Sequence, residues 1–207
     1  MIVSCVSQSR SNAGILIYVL SGGQVWFQHT QSGGSVNTSN LRYQSSLRVP
    51  FKRKTQLTIN YRGSQWVSGD AGNADLCDIY INGQKDESVT LAVNFALTNT
   101  INLDNTLQIG GHSSGGGFLD RPFIGKWQKI LRGDRVFTDL EVTQLHNTNE
   151  FPSSYLVANR LNYWDFDQVS GDVIDTINSK DLTLGITGLD RDWETHLYCV
   201  IVLLLNL

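Results

Sequence analysis

Leu76-Cys77-Asp78-Ile79-Tyr80-Ile81-Asn82-Gly83-Gln84 is the stretch whose reading decides the fold class. Its first six residues are rich in β-branched and aromatic side chains. Asn82-Gly83 is the dipeptide that two-residue hairpin turns favour, because both central positions take positive φ. The same strand-and-turn grammar recurs on both sides of it. Residues 14–20 and 24–29 flank Ser21-Gly22-Gly23 and read as a second hairpin, and the apolar-poor stretch 31–40 reads as a loop. Short apolar runs at 47–51, 56–61, 89–93, 106–109, 123–131, 161–166 and 182–186 read as further strands. Nineteen Gly, five Trp, seven Tyr and eight Phe fit many tight turns between aromatic-rich strands.

One segment breaks the pattern. Thr138-Asp139-Leu140-Glu141 has the spacing of a capping box, in which the hydroxyl and the carboxylate satisfy each other's free backbone N–H groups, so a helix is expected over 138–147. Pro152 and the serines after it end that element. Period-2 runs bury their apolar faces only against another sheet. The expected fold is therefore all-β, a two-sheet antiparallel jelly-roll sandwich with one short helix near residues 138–147.

The 207 residues carry 16 Lys and Arg against 19 Asp and Glu, a net charge of −3. That balance argues against a general electrostatic grip on nucleic acid or on anionic membranes. Forty-one per cent hydrophobic residues supply a real core, and one domain is expected. Cys5, Cys77 and Cys199 lie too far apart for a zinc motif and are odd in number, so the plain reading is three small buried hydrophobes. The start, Met1 to Gln8, lacks the basic segment and long apolar run of a secretory signal. Near the other end, Leu197-Tyr198-Cys199-Val200-Ile201-Val202-Leu203-Leu204-Leu205 is a continuous apolar run, shorter than the roughly 20 residues a membrane helix needs. A buried central strand is the plain reading; a cut membrane span, or an end foreign to the fold, is the alternative.

From Ile79 onward the chain resembles the laminin G-like and pentraxin-like branch of the concanavalin A-like lectin/glucanase superfamily. Ile79-Tyr80-Ile81-Asn82-Gly83-Gln84 is similar to its aromatic-x-x-Gly hairpin. Leu107-Gln108-Ile109-Gly110-Gly111, then Phe123-Ile124-Gly125, are similar to its Leu-x-Ile-Gly strand and the Phe-Asp-Gly that opens the next one. The residues from Trp127 to Val142 fit its strand, turn and final helix, with Asp134-Arg135-Val136-Phe137-Thr138 at the turn. Tyr163-Trp164-Asp165-Phe166-Asp167, Ser170-Gly171 and Asp175 resemble the family's opening strand, yet follow the helix. The resemblance then implies either a permuted single sandwich over residues 1–190 with an apolar tail at 191–207, or a truncated second copy. The permuted reading is favoured, with 163–166 pairing into the same domain or into a neighbouring subunit by strand exchange, in a homo-oligomer, and with Trp164 buried.

Implied function falls in two classes. One is a non-catalytic carbohydrate-binding or adhesion module of a surface or extracellular protein. The other is a structural or assembly domain, such as a virion or phage-tail component, that contacts partner proteins and no sugar. The paired carboxylates that glucanases of the superfamily carry as Glu-x-Asp-x-x-Glu are missing, so no enzyme is expected. Asp190-Arg191-Asp192-Trp193-Glu194 has the wrong spacing for them, and Ser113-Ser114-Gly115-Gly116-Gly117 precedes no helix and so is no phosphate cradle. Sugar rings stack on exposed aromatics, which makes Trp66, with Tyr61, His112 and Phe118 behind it, the candidate ligand-binding set. Family calcium positions are here Ile124 and Gln128, so the resemblance does not carry that metal over. Asp70, Asn73, Asp75 and Asp78 alternate oxygen donors in a glycine-containing stretch and form the candidate calcium set, with a solvated turn as the plainer reading; Asp167, Asp172 and Asp175 are a similar group. Arg132-Gly133-Asp134 spells the integrin tripeptide but falls where turn chemistry explains it.

Overall fold

The structure, a computed structural model, describes residues 3–5, 14–30, 40–51, 53–62, 76–94, 108–109, 112–113, 119–120, 125–151, 160–165 and 197–206. In chain order the strands are β1 (Val3–Cys5), β2 (Gly14–Val19), β3 (Gln24–Thr30), β4 (Asn40–Arg48), β5 (Thr55–Arg62), β6 (Cys77–Ile81), β7 (Gln84–Lys85), β8 (Thr90–Asn94), β9 (Gln108–Ile109), β10 (His112–Ser113), β11 (Leu119–Asp120), β12 (Gly125–Gly133), β13 (Arg160–Asp165) and β14 (Leu197–Asn206). The helix α1 (Asp139–Thr148) lies between β12 and β13 in sequence. The protein is thus mostly β, with antiparallel sheets and, among the described residues, one α-helix.

A first sheet has the order β8-β4-β3-β2-β1-β9, with every neighbouring pair antiparallel. The second has the order β13-β12-β14-β5-β6-β7, and β10 pairs with β11 apart from both. Alternate residues of the two large sheets meet in one buried cluster. It takes Ile15 and Ile17, Val25 and Phe27, and Leu41 and Tyr43 from the first sheet, and Leu57, Ile59 and Tyr61, Ile79 and Ile81, Ile130, and Trp164 from the second. A smaller cluster of Tyr80, Leu131, Phe137, Val142, Leu145 and Phe151 seats α1 on the other side of the second sheet.

Local signals place the hairpins. Asn82 and Gly83 have φ of 53° and 78°, the two left-handed positions of a type I′ turn, which bring Ile81 opposite Gln84. Gly23, at φ 85°, closes the β2–β3 turn by donating its N–H to the Leu20 carbonyl at 2.8 Å. At the helix start Thr138 and Glu141 form the expected reciprocal cap, and Arg135 grips the same carboxylate with two N–H donors at 2.9 and 2.7 Å. The Glu141 carboxyl is accordingly held down to about 2, chiefly by that Arg135 contact.

Two buried polar side chains fasten elements that are distant in sequence. Asn60 accepts the Phe137 N–H at 3.1 Å and donates to the Phe137 carbonyl at 2.8 Å, so β5 holds the entrance to α1 as a neighbouring strand would. Asp86, just after β7, accepts from the Ser46 N–H and hydroxyl, both at 2.6 Å, from the Leu47 N–H at 2.9 Å and from the Ser88 N–H at 3.0 Å. This joins the β6–β7 hairpin of the second sheet to β4 of the first. Burial pushes the Asp86 pKa up, but the hydrogen bonds from Ser46, Leu47 and Ser88 outweigh it, and the net shift is downward.

Two expectations need correction. The strand expected at 47–51 is instead β4, which runs over Asn40–Arg48, while Phe51 sits exposed in a turn. Polar Ser45 hid this strand. It occupies an inward position because its hydroxyl accepts the Val25 N–H at 2.8 Å and donates to the Leu47 carbonyl at 2.8 Å. Pairing is also not wholly antiparallel, since β14 runs parallel to both β12 and β5. Leu197–Asn206, whose plain reading is a central strand, lies inside the second sheet. It is an inner strand, with β12 on one edge and β5 on the other. The segment resembling an opening strand pairs with β12, Trp164 opposite Ile130, and Trp164 is 2% exposed. Phe166 and residues 182–186 lie outside the described residues.

Gly83 is where local strain and packing coincide. A Cβ there would stand 2.8 Å from the His146 Cβ on α1, at a φ of +78° that side chains disfavour. Gly83→Ala should lower the unfolding free energy by about 2 kcal/mol, the left-handed penalty plus a displaced helix end, read from the urea midpoint.

Candidate functional site

Strand alternation gives β3 two faces of different chemistry. Val25, Phe27 and His29 point into the shared core; Trp26 and Gln28 point to the other side of the first sheet. Register puts Tyr18 and Gln44 beside Trp26, and Leu16 and Arg42 beside Gln28. On this outer face the Arg42 guanidinium lies 4.5 Å from the centre of the Trp26 ring, a cation–π contact. Its orientation is fixed by Gln28, whose Oε1 accepts from Arg42 Nε at 3.1 Å and from Nη2 at 2.8 Å. The Trp26 indole N–H is a buried donor with no acceptor. Tyr18, Trp26, Arg42 and Gln44 keep part of their surface open, whereas Leu16 and Gln28 are buried. An aromatic ring, a planar fork of donors and two amides thus share one sheet face.

The inner face holds a polar pair in an apolar setting. His29 Nδ1 is hydrogen-bonded to the Tyr61 hydroxyl, and Phe27 and Tyr43 ring contacts surround Tyr61. His29 Nε2 is buried without a partner whichever tautomer is present. Burial drives the His29 pKa down to about 3 and the Tyr61 hydroxyl well above its usual range. Cys77, also in this core, is a free thiol whose pKa is pushed up by burial and further by Asp78. With both partners fully interior, the His29–Tyr61 pair is an internal hydrogen bond and no surface site.

Of the ligand residues expected from sequence, Tyr61 is thereby corrected. It is completely buried in the core, because its position on β5 shares the inward phase of Leu57 and Ile59. His112 is on β10, where its backbone pairs with Asp120. Trp66 and Phe118 lie outside the described residues, as do Asp70, Asn73 and Asp75 of the calcium set. Asp78 is described. It is ion-paired with Arg62 and, at 3.2 Å, with the Lys85 ammonium. No group of three or more His, Cys, Asp or Glu among the described residues is arranged to hold a metal. In the Arg132-Gly133-Asp134 tripeptide the first two residues end β12 and only Asp134 is exposed, in the bend that follows. Among the described residues no helix is long and apolar enough to cross a membrane.

Trp26, Gln28 and Arg42 were not singled out from sequence. Their signal was the phase of residues 25–29, where an inward Val25 and Phe27 oblige Trp26 and Gln28 to face away.

The buried imidazole has a consequence for stability against pH. His29 stays neutral in the folded chain down to about pH 3, while in the unfolded chain it takes up a proton below about 6.5. Its contribution is therefore present in full above pH 6.5 and is lost as pH falls toward 3. In urea titrations at pH 8, 5 and 4 the wild type should lose stability more steeply than His29→Phe. Parallel curves would show that no buried neutral histidine is coupled to folding.

Compared with family models, with curated proteins and with solved structures, the chain shows no match.

Proposed function

We propose that this chain is a non-catalytic carbohydrate-binding or adhesion module, built as a concanavalin A-like jelly-roll sandwich, and that it holds its sugar on the outer face of β2, β3 and β4. The observation that carries the reading is the Trp26–Arg42–Gln28 arrangement, with Tyr18 and Gln44 beside it in register. Pyranose rings are recognised by an aromatic surface together with planar, multiply donating polar groups, and here Gln28 orients the guanidinium before any ligand arrives. Two sheets sharing a core, a capped helix after β12 and the pairing of β13 with β12 support the sandwich assignment. Trp66, expected from sequence and outside the described residues, remains a second candidate platform.

A structural or assembly role is the second reading, and one observation favours it. Leu16 and Gln28 are buried although they face away from the shared core, so this face has less open surface than its residue types alone suggest. In such a role the same face makes protein contacts only.

A glycan array read with the wild type, Trp26→Ala and Trp66→Ala separates these readings. Binding on the β2–β4 face predicts a sugar-dependent signal that Trp26→Ala reduces at least tenfold while Trp66→Ala retains it. The unfolding free energy of Trp26→Ala should fall by about 3 kcal/mol, because a largely buried tryptophan loses packing as well as its cation–π contact. Loss of signal in Trp66→Ala alone moves the platform to Trp66, and a wild type with no sugar-dependent signal leaves the assembly reading.

A further inference from the structure

β14 stands between β12 and β5, parallel to each. It meets β12 from Leu197 opposite Gly125 to Leu204 opposite Gly133, and β5 from Cys199 opposite Thr55 to Asn206 opposite Arg62. In the second sheet β12 and β5 are not neighbours. Without β14 they face each other as two bare ladders, separated by about 10 Å, twice the spacing of neighbouring strands. The gap is a slot of one strand's width, with donors and acceptors on both walls.

Two features make the source of the filling strand a matter of connection, not of fit. A parallel neighbour cannot be delivered by a hairpin, and residues 166–196 separate β13 from β14 in the sequence. The slot holds β14 through ladder hydrogen bonds on both edges, which are the same whichever copy supplies the strand. The strand itself, Leu-Tyr-Cys-Val-Ile-Val-Leu-Leu-Leu-Asn, has no charge, glycine or proline. Free in solution, such a segment seeks any unpaired edge of matching length.

We propose that the β5–β12 slot also accepts β14 from a second copy of this chain, so that two copies exchange their β14 strands and form a closed twofold dimer. The second copy is the occupant because exchange reproduces every β14 contact and leaves neither slot open. Closed monomer and exchanged dimer then share the same interfaces and differ in the connection and in concentration. A tethered strand competes at an effective concentration of order 1 mM, so exchange sets in when chains fold together near that value. Parallel, sequence-distant pairing forms late, which keeps slots open to other copies during folding. This inference is independent of what the Trp26 face binds.

Thr55→Cys places a second thiol opposite Cys199 in the β5–β14 register. Light and isotope-heavy copies of this full-length variant are mixed, refolded together and oxidised, and the 55–199 bridge is identified by peptide mass. Refolding is carried out at about 5 µM and about 500 µM, far below and near the effective concentration of a tethered strand. Exchange predicts bridges joining light to heavy chains in about half of the dimer fraction, abundant at the higher concentration and scarce at the lower, as expected for random pairing of closed dimers. A second variant, Lys129→Cys with Val200→Cys, reads the β12 wall of the slot in the same way should the first fail to fold. Bridges confined to one isotope at both concentrations overturn the proposal, as does the absence of any bridge in both variants.

Discussion

The second sheet depends on a single strand having hydrogen-bonding partners on both edges. β14 links the β12–β13 pair to the β5–β6–β7 meander, and each of its edges carries a parallel ladder. Backbone groups inside a folded chain must be paired, so these two ladders are a requirement that side-chain packing cannot replace. The other ties across the same gap are of a different kind. Asn60 clamps Phe137 from β5, and the shared core places Ile130 and Trp164 with Leu57 and Ile59. These hold the halves together through side chains, and β14 makes them one sheet.

A comparable economy joins the two sheets to each other. Apolar contact between the inward faces is non-directional and leaves the relative register of the sheets loosely specified. Asp86 supplies direction. One carboxylate that receives four hydrogen bonds, three of them from Ser46 and Leu47, ties the end of the β6–β7 hairpin to one place on β4. Because two of those are backbone donors at the end of a strand, the contact also satisfies groups that would otherwise be lost to the ladder. The same logic applies to Arg135, Glu141 and Thr138, where one carboxylate caps the helix and fixes the preceding turn.

Legibility followed the range of the interactions. The Asn82-Gly83 turn, the β2–β3 turn and the Thr138–Glu141 cap are set by residues within a few positions of one another, and each was readable from the amino-acid order. β4 was misplaced because its inward Ser45 is made tolerable by Val25, twenty residues earlier, a partner no local window contains. The apolar run 197–205 could be read as buried on both sides, but its parallel direction and its two neighbours depend on strands more than sixty residues away.

For the candidate site the limit was of another kind, since residue type alone does not say which way a side chain faces. Tyr61 and Trp26 are both aromatics on strands, and exposure of either is compatible with the composition. Phase decides between them. Tyr61 is two residues from Ile59 and four from Leu57, so it shares their inward face, where its hydroxyl then needs the imidazole of His29. Trp26 lies between Val25 and Phe27, so burying those two turns it outward, into reach of Arg42. The polar residues then sort by what the aromatics require on each face. Inside, a histidine accompanies a tyrosine whose hydroxyl would otherwise be stranded, while outside an arginine and a glutamine surround a tryptophan that water can still reach. One strand, β3, carries both arrangements on alternate residues, and that alternation links the stability of the core to the chemistry offered at the surface.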